Sequence, residues 1–153
     1  MGYAAGPTNV INAMNKVQSQ NVSSTASISM AASVEALTGD QSFITSHNES
    51  FLRRRDLVVK NLNETPGISC RVPEGAFYVF ASCKGVLGKK TESGKIIEAD
   101  GDFMDYLLEE VGVAGVHGSA FGLDGFFRIS YATSDSILED ACQRIKLACS
   151  KLS

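Results

Sequence analysis

The chain has 153 residues, 44% of them hydrophobic and 20% charged, with a net charge of −3 and a pI near 5.4. That is enough apolar material for a packed core, while the acidic balance speaks against a nucleic-acid partner, which calls for a basic face. No apolar run approaches the roughly 18 residues of a membrane span, so no membrane partner is expected.

The opening "MGYAAGPTNV" has neither a basic flank nor a long apolar segment, so no secretory leader is expected. Gly2 to Pro7 reads as a short strand ending in a turn. Pro7 then opens a helix, where its missing N–H costs nothing, with Val10, Ala13, Met14 and Val17 on one face. The serine-rich "QSQNVSSTAS" carries no periodicity and reads as a connection. A helix from Ala26 to Leu37 follows, with Ile28, Ala31, Ala32 and Leu37 available for burial and Gly39 as a left-handed stop.

The longest helix is expected from Gln41 to Leu62. Phe43 or Ile44, His47, Phe51, Val58 and Leu62 form its apolar side, and Arg53, Arg54, Arg55 and Lys60 form a solvated one. "NETPG" ends it through Pro66 and Gly67. Two strands are expected on either side of Pro73 to Gly75, the better one at Ala76 to Ala81. Lys84 to Asp100 reads as a polar loop. Asp102 caps a helix through "FMDYLLEEV", and a short strand near Val113 to Val116 precedes the glycine-punctuated "GVHGSAFGLDG". The last helix starts at Ser134 or Ser136, the latter with Glu139 at capping-box spacing. Its apolar face holds Ile137, Leu138, Ala141, Ile145, Ala148, Cys149 and Leu152.

The familiar catalytic and nucleotide-binding patterns are absent: no H-E-x-x-H, no P-loop, no G-x-S-x-G. Cys70, Cys83, Cys142 and Cys149 have no metal-ligand spacing and read as reduced, buried thiols of a cytoplasmic protein. No metal site is expected. His117 lies in a glycine-rich loop where acid–base work is chemically available, but no nucleophile stands near it in sequence.

The residue that asks for an explanation is Arg128, alone in the uncharged, aromatic "GFFRISYATS". Strand alternation turns Phe127, Ile129 and Tyr131 one way and Phe126, Arg128 and Ser130 the other. A guanidinium cannot shed its charge by losing a proton, so a buried one needs a carboxylate. Asp124 or Asp135 would be an internal source; a ligand would be an external one, and the residues alone leave the two even.

Taken together, "MGYAAGP", "MNKVQSQ", "SISMAASVEALTGDQ", "RRRDLVVKNLNETPGISCRVPEGAFYVF" and "GVAGVHGSAFGLDGFFRISYATS" follow in the order of class I pyridoxal-phosphate aminotransferases. The chain resembles the C-terminal portion of the aspartate aminotransferase-like branch. The resemblance implies an α/β fold: residues 1–41 as the tail of a large cofactor-binding domain, and 42–153 as a small two-layer α+β domain. It implies transfer of an amino group between aspartate, or a similar amino acid, and 2-oxoglutarate, with pyridoxal phosphate as cofactor and a homo-oligomeric enzyme. Arg128 takes the role of the substrate α-carboxylate clamp, with Phe121 of the "GSAFG" loop beside the substrate and Tyr3 and Ser23 near the cofactor. The Schiff-base lysine of such enzymes has no counterpart in the matching blocks. The chain alone is therefore expected to bind no pyridoxal phosphate and to be inactive. The alternative is a non-catalytic α/β module that binds a small carboxylate or a partner chain.

Overall fold

The computed structural model describes all 153 residues, which form two compact units, Met1–Ile44 and Thr45–Ser153. The first unit holds helices α1 (Thr8–Asn21) and α2 (Ser27–Thr38). Met1 to Pro7 forms no strand, because an extended segment needs a second strand to take its backbone hydrogen bonds and this unit is otherwise helical. Helix α1 absorbs Gln18 to Asn21 of the expected connection. The turn then bends at Ser23, whose φ of 61° is left-handed and whose N–H donates to the Gln18 carbonyl at 3.0 Å. Gly39 ends α2 with extended backbone (φ −75°, ψ −171°), not the left-handed stop expected of it. Neither helix buries a residue within the unit; Ile28, Val34 and Leu37 are more than 60% exposed.

The second unit takes all but the first two residues of α3 (Phe43–Asn63), then β1 (Ser69–Cys70), β2 (Tyr78–Ser82), α4 (Asp100–Val111), β3 (Val116–His117), β4 (Phe126–Ser130) and α5 (Asp135–Ser150). The strands make one antiparallel sheet in the order β1-β2-β4-β3. The expected short strand before the glycine-rich loop begins late, at Val116, because Gly112 closes α4 at φ 67° and the Val113 N–H still donates to the Leu107 carbonyl of that helix at 3.1 Å.

One face of the sheet meets the helices. Val79, Ala81 and Phe127 are fully buried against Val58 and Leu62 of α3, Phe103 and Leu107 of α4, and Ile145, Ala148 and Cys149 of α5. In α5, Leu138, Cys142, Ile145 and Cys149 recur at four, three and four residues, a one-sided apolar stripe. Ile137 falls off that stripe and stays exposed. Each such buried side chain contributes roughly 1.5–3 kcal/mol of burial. Lys84 to Asp100 is more than a polar loop: Val86 and Ile97 are buried, and Lys90 pairs with both Ile96 and the backbone of Ser153.

Two helix starts differ in detail from the expected ones. Asp102 is the third residue of α4, and its carboxylate reaches back to accept the N–H groups of Ala99 (3.0 Å) and Glu98 (3.1 Å). Ser134, not Ser136, caps α5 by accepting the Ile137 N–H. The arginine triplet is not simply solvated: Arg53 and Arg54 both bind Asp135, at 2.8 and 2.9 Å. Those hydrogen bonds hold the Asp135 carboxyl below the usual carboxylate range.

All four thiols are free and buried. Burial pushes Cys70, Cys83 and Cys142 up to about 11 and Cys149 up to about 12. An unfolded thiol ionises at pH ~8.5, so the folded state holds its protons longer. The resulting stability is fully present below that pH and is lost as pH rises through about 11. Iodoacetamide at pH 8 is expected to modify none of the four in the folded chain and all four in urea. Rapid alkylation of the folded chain would contradict this burial.

Candidate functional site

The second face of the sheet carries the site. Strand pairing sets Tyr78 opposite Ser130, Phe80 opposite Arg128 and Ser82 opposite Phe126, while Val79 with Ile129 and Ala81 with Phe127 form the core side. The alternation read from "GFFRISYATS" therefore holds: Phe127 and Tyr131 are buried, and Arg128 is half-buried on the other face.

Aromatic rings surround the guanidinium. Its carbon lies 4.4 Å from the Tyr78 ring centre and 4.5 Å from that of Phe121. Phe80 supports this arrangement by stacking on Phe126 at 5.5 Å and meeting Phe121 edge-on at 6.0 Å. Each cation–ring contact contributes about 0.5–2 kcal/mol, but a ring face does not satisfy the N–H donors as a carboxylate oxygen does. Arg128 forms none of the chain's ion pairs and donates no side-chain hydrogen bond to another residue. Of the two internal acids considered for it, Asp135 is committed to Arg53 and Arg54, and Asp124 makes no ion pair.

Phe121 is delivered by a 3-10 turn, Gly118–Phe121. A Cβ on Gly118 would lie within 2.8 Å of Phe126, so the turn sits flush on β4 only because that position is glycine. Tyr78 is delivered by the "PEGAFY" segment. Ala76 bends there at a left-handed φ of 61°, and Tyr131 fixes the bend by donating its hydroxyl to the Ala76 carbonyl at 2.9 Å. His117 stands at the start of the turn and is exposed; contrary to the expectation that no nucleophile stands near it, its Nδ1 lies 2.7 Å from the hydroxyl of Ser119, two residues on.

Arg128 and Phe121 are thus brought together. Tyr3 and Ser23 belong to the first unit: Tyr3 is 91% exposed beside α1, and Ser23 occupies the turn after it. Tyr78 ends the Pro73–Tyr78 block, which by resemblance packs beside the active site, but sequence reasoning gives the residue itself no role. Its place on the Arg128 face follows from β2 alternation, but only once the register against β4 is known. Ser119 and Asp100 give no signal, because their contact spans 19 residues of sequence.

The chain matches the family model "Aminotransferase class I and II" over residues 1–145, and it belongs to that family. It is 60% identical to an aspartate aminotransferase of Rhizobium meliloti over its whole length, and 52% identical to an aspartate/prephenate aminotransferase of Cereibacter sphaeroides. It spans 37% and 38% of the lengths of those relatives. The crystal structure of the aspartate aminotransferase from Rhizobium meliloti superposes on 99% of the chain with a TM-score of 0.91, the chain covering 38% of that structure. The Thermus thermophilus aspartate aminotransferase with maleate matches 96% of it, at 35% identity and a TM-score of 0.81, the chain covering 36% of that structure.

Membership implies pyridoxal phosphate in the intact enzyme. The residues around Arg128 suit a carboxylate and do not fit that cofactor. No acid stands beside the guanidinium to pair a pyridinium nitrogen, and no lysine of the chain is buried, so none has the desolvated setting that activates an amine.

If Arg128 has no acid of its own, replacing it should cost little stability. Arg128→Met keeps the length of the stem, and its urea unfolding free energy is expected to match wild type or exceed it by up to about 1 kcal/mol. A loss of about 3 kcal/mol or more would reveal an internal carboxylate left unpaired.

Proposed function

We propose that this chain is the substrate-carboxylate arm of a pyridoxal-phosphate aminotransferase that moves an amino group between aspartate, or a similar amino acid, and 2-oxoglutarate. The observation that carries this reading is the Arg128 guanidinium, oriented by Tyr78 and Phe121 and met by no acid of its own chain. A planar fork of N–H donors matches a carboxylate in bidentate fashion. Amino acid and oxo acid both present an α-carboxylate, so one clamp serves both halves of a transfer. Holding it fixes the α-carbon relative to the reacting centre, and such positioning removes several kcal/mol from a barrier. In the intact enzyme the electron sink for chemistry at that carbon would be supplied by pyridoxal phosphate.

In this reading residues 1–41 close the large cofactor-binding domain and 42–153 form the small domain, in keeping with compact units that divide at Ile44. Tyr3 and Ser23 fall on the cofactor side. The enzyme is a homo-oligomer, supported by Tyr3, Val17, Ile28, Val34 and Leu37, which lie more than 60% exposed. No helix is long and apolar enough to cross a membrane, and four unpaired buried thiols suit a reducing compartment such as the cytoplasm. The chain alone holds no pyridoxal phosphate and is inactive, because its lysines lie at the surface or half-buried. The alternative, a non-catalytic α/β module that binds a small carboxylate or a partner chain, is not favoured, given aminotransferase relatives at 48–60% identity.

Maleate is the apt probe: it is the dicarboxylate named with the Thermus thermophilus structure, and aspartate and 2-oxoglutarate are dicarboxylates as well. Calorimetric titration of the chain is expected to give saturable maleate binding that Arg128→Met abolishes, and no stoichiometric binding of pyridoxal phosphate. Maleate binding unchanged in Arg128→Met would overturn the clamp; stoichiometric cofactor binding would overturn the inactive reading.

A further inference from the structure

Asp100 is the one buried residue that carries a formal charge; it is 2% exposed, and the other buried polar residues are Thr65 and Thr91. It opens α4, and its Oδ2 accepts the backbone N–H of Ser119 at 2.7 Å. Burying a carboxylate costs several kcal/mol unless strong donors meet it, and packing alone would be served by an apolar residue. The charge therefore asks for a positional explanation.

Ser119 is the pivot of the turn that presents Phe121. Its N–H goes to Asp100, its carbonyl accepts the Gly122 N–H at 3.0 Å, and its hydroxyl meets His117 Nδ1 at 2.7 Å. Further along the turn, Phe121 lies half exposed with its ring 4.5 Å from the Arg128 guanidinium carbon. An exposed ring of this kind stays in place only if its backbone is held. On the β4 side the turn is entered from the β3–β4 pairing of Val116 with Arg128 and His117 with Phe127, its Gly118 carbonyl accepts the Leu123 N–H at 3.1 Å, and Gly118 fits closely on Phe126. On the α4 side the Asp100 carboxylate supplies a charged hydrogen bond.

We infer that Asp100 is a positioning residue for the Arg128 site: through the Ser119 amide it fixes the Gly118–Phe121 turn, and so holds Phe121 against the guanidinium. Its functional meaning rests on the clamp reading of Arg128, while its geometry can be tested apart from it. Losing a charged hydrogen bond of this kind should speed Ser119 amide exchange roughly tenfold to a hundredfold.

The test is NMR of the 153-residue chain with labelled arginine, without ligand and then with maleate. Phe121→Ala sets the scale, because it removes that ring's upfield contribution to the Arg128 Hδ shift. Asp100→Ala is expected to lose most of the same contribution and to speed Ser119 exchange. Asp100→Asn keeps an acceptor of the same shape, so it should restore the Arg128 shift nearly to wild type with Ser119 exchange only partly quickened. It carries the test should the alanine variant not fold. Ser119 exchange and the Arg128 shift both unchanged in the folded Asp100 variants would overturn the inference. If they change as expected but maleate leaves the wild-type Arg128 signal unmoved, the positioning holds and the clamp reading fails. A maleate response that weakens in Asp100→Ala, in step with Phe121→Ala, supports both.

Discussion

The guanidinium of Arg128 is the constraint around which this sheet is arranged. It sits half-buried on β4 and cannot be neutralised, yet no carboxylate of the chain meets it. What it has instead is aromatic: Tyr78 and Phe121 against the cation, with Phe80 and Phe126 behind them. Rings orient a guanidinium while leaving its N–H donors available, which is what a site for an incoming carboxylate requires. The sheet divides its labour by strand parity. Val79, Ala81, Phe127 and Ile129 face the helices, and Tyr78, Phe80, Phe126 and Arg128 build the platform.

Charge is partitioned to keep that arrangement clean. Asp135, close to Arg128 in sequence, is taken up by Arg53 and Arg54 and ties α3 to the start of α5. Asp100 accepts from the Ser119 amide and joins no ion pair. Both acids are thus committed to other partners. Tyr131 works on the same site from the core side: its ring is buried, while its hydroxyl holds the left-handed Ala76 bend that leads into Tyr78.

Much of this is legible in the residues. The parity of β4 is readable because Phe127, Ile129 and Tyr131 alternate with Phe126, Arg128 and Ser130, and a half-buried strand imposes a period of two. The α5 stripe is readable because its spacing is helical. Family order then points to Arg128 and Phe121. What cannot be read depends on pairing across long sequence distances: Tyr78 against the guanidinium, Asp100 on Ser119, and Arg53 and Arg54 on Asp135. Local pattern also misleads where no partner strand or packing surface exists within the unit. The segment from Gly2 to Pro7 has strand-like residues and no strand to join, and Ile28 and Leu37 have apolar character and no cover within Met1–Ile44.

In the proposed reading, the carboxylate that completes Arg128 comes from outside the chain. A crystal structure of the chain grown with maleate tests it most directly. One maleate carboxylate is expected edge-on to the guanidinium with both oxygens in hydrogen-bond range, and Tyr78 and Phe121 still against the cation. Arg128 turned instead onto Asp124, with maleate absent from the platform, would contradict it.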